Sequence, residues 1–152
     1  MKKEILPPTT KKVAFHTCNK VNEDIKNKTI CCINTYKSGD SAILSDKIEK
    51  LNREWDTERV LETNAASVVL LSSIMGYKKK KNCWFLLTGT VGFFLLQHAL
   101  QGWCPPLPVI RKMGVRTAEE INLEKTVFKL IRGDFLGNTD VTSTLFNMAE
   151  KE

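Results

Sequence analysis

An all-α fold, a two-helix transmembrane hairpin flanked by amphipathic helices, is predicted by three observations. Residues 63–77 run for fifteen positions without a charged side chain. Residues 82–110 contain no Asp, Glu, Lys or Arg. Between the two stands one run of four bases, Lys78, Lys79, Lys80 and Lys81. The averages conceal this pattern, because 152 residues at 42% hydrophobic, 26% charged and net charge +6 describe an ordinary soluble domain. Residues 1–60 carry 12 basic and 9 acidic side chains and residues 105–152 carry 7 of each. Residues 61–104 hold one acid, Glu62, and the four lysines, so most of the apolar weight lies in the middle third.

Residues 1–44 read as a lead-in and a short polar helix. Met1-Lys2-Lys3 starts as a signal peptide does, but Ile5-Leu6 runs straight into Pro7-Pro8, so no cleaved secretory signal is expected. Residues 1–17 are expected to be irregular. From Asn19 to Tyr36, Val21, Ile25, Cys32 and Tyr36 recur at near-helical spacing, and Ser38-Gly39-Asp40 ends the run. A stronger amphipathic helix is expected from Ser45, a good N-cap before Asp46. Leu44, Ile48, Leu51 and Trp55 fall on one face of it, with charged residues as far as Arg59 covering most of the rest. Within it Glu54 and Glu58 would repel, whereas Asp56 and Arg59 would attract.

The hairpin is expected at about 60–77 and 83–104. Fifteen helical residues reach only about 22 Å, short of the ~30 Å hydrocarbon core. Starting at Val60, with Glu62 and the lysines reaching outward, gives about 27 Å, which local thinning accommodates. Ala65, Ala66, Ser67, Ser72, Ser73 and Gly76 suit close contact between helices in lipid. Cys83 through Cys104 is 22 residues, about 33 Å of helix and enough to span. Trp84 and Trp103 stand near its ends, where indoles favour the membrane interface, and Gly89 and Gly92 are expected to admit the first span.

Pro105, Pro106 and Pro108 end the second span. Thr117 and Glu120 have the spacing of a capping box, opening a helix whose apolar face is Ile121, Phe128 and Ile131. Gly133 after Arg132 is a stop signal, and residues 136–152 read as a mobile tail. Orientation follows from counting bases. Lys47, Lys50, Arg53, Arg59, Arg111, Lys112, Arg116 and Lys125 flank the hairpin against four lysines in its turn. Eight against four places both termini in the cytoplasm.

Few residues offer chemistry. The five cysteines, Cys18, Cys31, Cys32, Cys83 and Cys104, are odd in number and show no repeated spacing. They read as free thiols in a reducing compartment, neither a disulfide framework nor a zinc site. With two histidines, His16 and His98, no metal and no cofactor are expected. No phosphate loop or Ser/His/Asp constellation is present. Nucleic acid is not an expected partner, because the base excess is concentrated in one turn and no aromatics interleave with it. The informative stretch is Phe94 through Pro108. Gln97, Gln101 and Cys104 step by four and three along one helical face, with His98 beside them. Polar groups near a membrane helix end need partners, and the bland reading is hydrogen bonding to the other span. The sharper reading makes Cys104 a thiol site activated by a neighbouring positive group. Within one helix His98 lies off the face of Cys104, so their pairing would need a bend or a second chain.

Asp46 through Phe135 resembles a family of small bacterial membrane proteins grouped with the YgaP-like inner-membrane transmembrane domain. The resemblance rests on Leu51-Asn52-Arg53-Glu54-Trp55-Asp56, Glu58 through Ala66, Phe94 through Pro108, Gly114-Val115-Arg116-Thr117 with Glu120-Ile121, and Leu130 through Phe135. It implies a membrane hairpin with flanking helices over residues 45–135 and no established activity. Rhodanese-linked relatives carry Cys-Pro at the end of the second span, matched by Cys104-Pro105, but these residues include no sulfurtransferase domain to carry that activity over.

The expectation is a small multi-pass protein of the bacterial inner membrane, a non-enzymatic assembly or accessory component. The alternative is thiol or sulfur-species handling around Cys104, with Gln97, His98 and Gln101 as binding residues. Expected partners are the lipid bilayer, met at Lys78–Lys81, Trp84 and Trp103, and a second copy or another membrane protein.

Overall fold

Where the chain changes from apolar to charged, it changes from a long hairpin to a cluster of shorter helices. The computed structural model describes residues 7–134, so the tail expected at 136–152 lies outside the described residues. These are 77% helical, with no strand among them. In order the helices are α1 (Lys12–Phe15), α2 (Asn19–Tyr36), α3 (Ser41–Asn52), α4 (Thr57–Lys79), α5 (Asn82–Gln101), α6 (Leu107–Lys112) and α7 (Ala118–Arg132).

Helices α4 and α5 form the hairpin, and both are long and apolar enough to cross a membrane. Their 23 and 20 residues correspond to about 35 and 30 Å, so the first span is longer than its uncharged core suggests. The lysine run makes the turn, with Lys80 in the left-handed region at φ 50°. Lys79 Nζ lies 5.6 Å from the centre of the Trp84 ring, an arrangement suited to the headgroup layer. Leu70, Leu71, Leu86, Phe93 and Leu96 are each more than half exposed along the outer faces. So large an apolar surface is stable against hydrocarbon and unstable against water.

The seam between the spans is narrow and small. Ser72 is buried, and its Oγ lies 2.7 Å from Thr88 Oγ1. One turn nearer the lysines, Gly76 receives the Phe85 ring, which would stand 2.9 Å from any Cβ placed there. Gly89 and Gly92 do not serve this seam: a Cβ on either meets nothing within 4 Å, because both face away from α4. Spacing alone did not fix which face of α5 met its partner.

At the other end of the hairpin two small cores form. One gathers Val13, Leu61, Cys104, Leu107 and Ile110 from α1, α4, α6 and the loop before α6. The lead-in is therefore not irregular throughout. Burial of Val13 fixes one helical turn, and Thr17 Oγ1 donates to the Val13 carbonyl at 2.8 Å. The other core packs Leu44, Ile48 and Leu51 of α3 against Ile121 and Phe128 of α7, with Cys32 and Ile33 of α2 alongside. Ile131, expected on that face, is 39% exposed.

Two helix boundaries differ from expectation. Helix α3 starts at Ser41 after an extended Asp40, and Ser45 lies within it, its Oγ donating to the Ser41 carbonyl at 2.7 Å. The same helix stops at Asn52 rather than running through Trp55, which is left 47% exposed. The cause is Asp56, whose extended backbone and side chain cap α4 by accepting from the Arg59 amide at 2.8 Å. Glu54 and Glu58 thus belong to different segments and do not face each other along one helix. After Pro105 the chain makes an extra helix, α6, with Pro108 in its first turn, where a missing N–H costs nothing. Helix α7 has the expected reciprocal capping box between Thr117 and Glu120, and ends at Gly133 with φ 87°.

Candidate functional site

The polar residues of the second span separate at its end. Helix α5 stops at Gln101 because Gly102 turns left-handed, at φ 78°, and its amide donates to the His98 carbonyl at 2.7 Å. This left-handed turn sends the chain back across the helix end. A side chain at Gly102 would also strike α1, its Cβ lying 2.7 Å from the Lys12 carbonyl carbon. This is the bend that brings Cys104 to His98. Cys104 is not on the helical face of Gln97 and Gln101, as even spacing suggested, because the helix has ended before it.

His98 is 3% exposed and Cys104 4%. The imidazole lies against the Cys104 thiol, and its Nε2 is 2.8 Å from Glu58 Oε2 at the start of α4. The other Glu58 oxygen is 3.3 Å from Lys12 Nζ. Thiol, imidazole and carboxylate thus lie in sequence, with the carboxylate orienting the ring. The thiol does not meet hydrogen-bond geometry at Nδ1, which is buried without a partner. Gln97 is half-buried and Gln101 exposed, and neither lines the groove that His98 and Cys104 share. Trp103 is half-buried beside the turn.

That groove runs up the hairpin between α4 and α5 and ends on α6. It encloses about 590 Å³ and is almost wholly apolar, with Ala65, Val68, Val91 and Phe94 in its walls and His98 and Cys104 at its base.

Two arginines hold the base helices around this site. Arg111 of α6 is fully buried and uses all five donors. Its two Nη atoms grip the Glu120 carboxylate, each at 2.7 Å, while the rest reach Thr17 Oγ1, Asn22 Oδ1 and the Val115 carbonyl. Burial alone would raise the Glu120 carboxyl, but the Arg111 fork and the Thr117 amide outweigh it and hold it below its ordinary value. Arg116 pairs with Glu54 and Glu124, and its carbonyl accepts the Thr57 amide at 2.8 Å. Burial opposes the Arg116 charge, yet these two carboxylates leave the guanidinium more firmly protonated than in water. Cys32, near Glu124, is pushed up first by burial and then by that carboxylate, and is a poor nucleophile. Among the described residues no group of three or more His, Cys, Asp or Glu is placed to hold a metal.

Glu58, Arg111 and Glu120 were not legible as parts of a site. Glu58 and Arg111 stood in the sequence as surface charges, and Glu120 only as a helix cap. The one available hint was that Arg111 directly follows a charge-free stretch of 29 residues.

A lipid-exposed helical hairpin on a charged helical base is the architecture of a small integral membrane protein. Residues 56–120 match the family described as inner membrane protein YgaP-like, transmembrane domain. The match is narrower than the 46–135 expected, taking in α4 to the first turn of α7. No curated protein and no solved structure matches the chain. The protein is therefore an integral membrane protein in contact with the lipid bilayer.

Proposed function

We propose that this is a multi-pass bacterial inner-membrane protein with both termini in the cytoplasm, acting without catalysis as an assembly or accessory component. The observation that carries this reading is the division of the molecule. An outward apolar surface on both spans is available to lipid or to another membrane helix, and the charged helices gather at one end. Orientation is supported by the eight bases flanking the hairpin against Lys78–Lys81. Fluorescent-protein fusions at both ends should be bright, and alkaline phosphatase fusions there inactive; active phosphatase at either end overturns the topology. The accessory role predicts that gentle detergent extraction recovers the chain with a second copy or one defined membrane protein. Recovery as a lone monomer counts against it.

A second reading, thiol or sulfur-species handling at Cys104, is favoured by the contact with His98 and by the Glu58 carboxylate behind it. It predicts that Cys104 in membranes alkylates at neutral pH faster than a model thiol, and that His98→Gln slows it toward the model rate. A rate no faster than the model thiol rules this reading out.

A further inference from the structure

The groove combines two properties that together select a ligand. Its walls are hydrocarbon, and in a bilayer some chain fills such a space whatever its chemistry, because lipid tails are as apolar as the side chains they would touch. Selectivity must come from its polar end. Asn64 and Thr90, the polar wall residues, donate within their own helix, to the Val60 carbonyl at 2.7 Å and the Leu86 carbonyl at 2.9 Å. His98 is different: it is 97% removed from solvent and its Nδ1 has no hydrogen-bond partner. A buried polar atom without a partner is costly, and costlier in an apolar medium.

We propose that this groove binds one long-chain fatty acid, its tail along the α4–α5 seam and its carboxyl group on His98 Nδ1. The charge arrangement favours a carboxyl group. Glu58 already faces Lys12 on one oxygen and His98 Nε2 on the other, so the carboxylate is engaged and Nε2 carries the donated hydrogen. Nδ1 then presents either a lone pair or, on a protonated ring, an N–H. A carboxylic acid donates to the first and a carboxylate accepts from the second, with one proton shared between ligand and ring. On the protonated ring the carboxylate also balances a positive charge that Glu58, already paired with Lys12, leaves uncompensated in a low-dielectric site. A hydroxyl could make the hydrogen bond but could not supply that charge, and an ester could accept only. From Thr90 to His98 the groove follows eight residues of α5, roughly 12 Å, which takes the carboxyl-end half of such a chain and leaves the rest to the bilayer. Its volume lies within the usual range for a bound small molecule. The proposal does not rest on the accessory reading and competes with the thiol reading, since the carboxyl group and the Cys104 thiol would share one ring nitrogen.

The test uses the intact protein in phosphatidylcholine nanodiscs with cis-parinaric acid as the fluorescent probe, displaced by palmitic acid, methyl palmitate or hexadecanol. Saturable probe binding is expected, with palmitic acid displacing it at a concentration about tenfold below the ester or alcohol, the ratio that one charge-assisted hydrogen bond supplies. His98→Leu should erase that preference while leaving the helical circular dichroism intact. Should His98→Leu fail to fold, Ala65→Phe keeps His98 and fills the groove, and it should lower the bound fraction for every competitor. Equal displacement by the three competitors in the wild type, or an Ala65→Phe variant that binds as the wild type does, overturns the proposal.

Discussion

The hairpin and its base solve the same packing problem with opposite materials. In the hairpin two long helices meet through a serine, a threonine and a glycine that receives the Phe85 ring, and most of the large apolar side chains are exposed. In the base two clusters of apolar side chains are buried between short helices, and the buried Arg111 and half-buried Arg116 pair with carboxylates around them. The difference is one of solvent. Water rewards burial of hydrocarbon, so the base can form cores from single residues of several short helices. Lipid gives no such reward, and the spans hold together by close approach and a hydrogen bond. A substitution should therefore cost according to which half it falls in.

The largest effect is expected in the base. Arg111→Met removes a guanidinium that satisfies five acceptors and leaves Glu120 gripped by nothing but its capping bonds. A broken buried pair costs about 3–5 kcal/mol, so thermal unfolding of the base in detergent should move down by many degrees. Acid sharpens the same test. Glu120 is held below its ordinary value of 4.5, so its contribution is complete above about that pH and is lost as pH falls through the lowered native value. Wild type should weaken on acidification below about pH 4.5, and in Arg111→Met the part of that dependence due to Glu120 should disappear.

Next is Gly102→Ala, at the junction of the two halves. A left-handed alanine costs about 1–2 kcal/mol, and its methyl would also press on the backbone of Lys12. The expected loss is about 2–3 kcal/mol, together with movement of Cys104 away from His98, read as a changed alkylation rate.

Within the hairpin, Gly76→Leu should loosen the seam by about 1–3 kcal/mol by displacing Phe85. Gly92→Ala, on the open face, should be neutral or stabilise by up to about 1 kcal/mol through helix propensity. If both glycines prove equally sensitive, the seam is on the wrong face of α5. Smallest is Ser72→Ala, which removes the hydrogen bond to Thr88 and should cost about 0.6 kcal/mol in a double-mutant cycle with Thr88→Ala.

The two halves also differed in how far the sequence disclosed them. Charge-free length announces a span, so α4, α5 and the lysine turn between them were legible, as were the Thr117–Glu120 cap and the Gly133 stop. Contacts between elements were not. Gly76, Gly89 and Gly92 look alike in a one-dimensional pattern, and only the crossing of the helices decides which of them is covered. His98 and Cys104 were named together yet placed on different faces, because a single helix was drawn through Gly102. The same glycine that permits any conformation gave no sign that it would take the left-handed one. Arginines buried wholly or in part are harder still. Arg111 and Arg116 are ordinary flanking bases until α7 supplies Glu120 and Glu124.

The division of the molecule between two solvents is tested most directly by labelling single cysteines in open nanodiscs, where both membrane faces can be reached. On a background with the five native cysteines replaced, Leu86→Cys and Phe93→Cys on the hairpin can be compared with Leu123→Cys on α7, all exposed in the isolated chain. A membrane-impermeant maleimide should label Leu123→Cys rapidly and leave the two hairpin positions unlabelled until detergent denaturation. Equal labelling at Leu86, Phe93 and Leu123 would contradict a lipid-facing hairpin on a water-facing base.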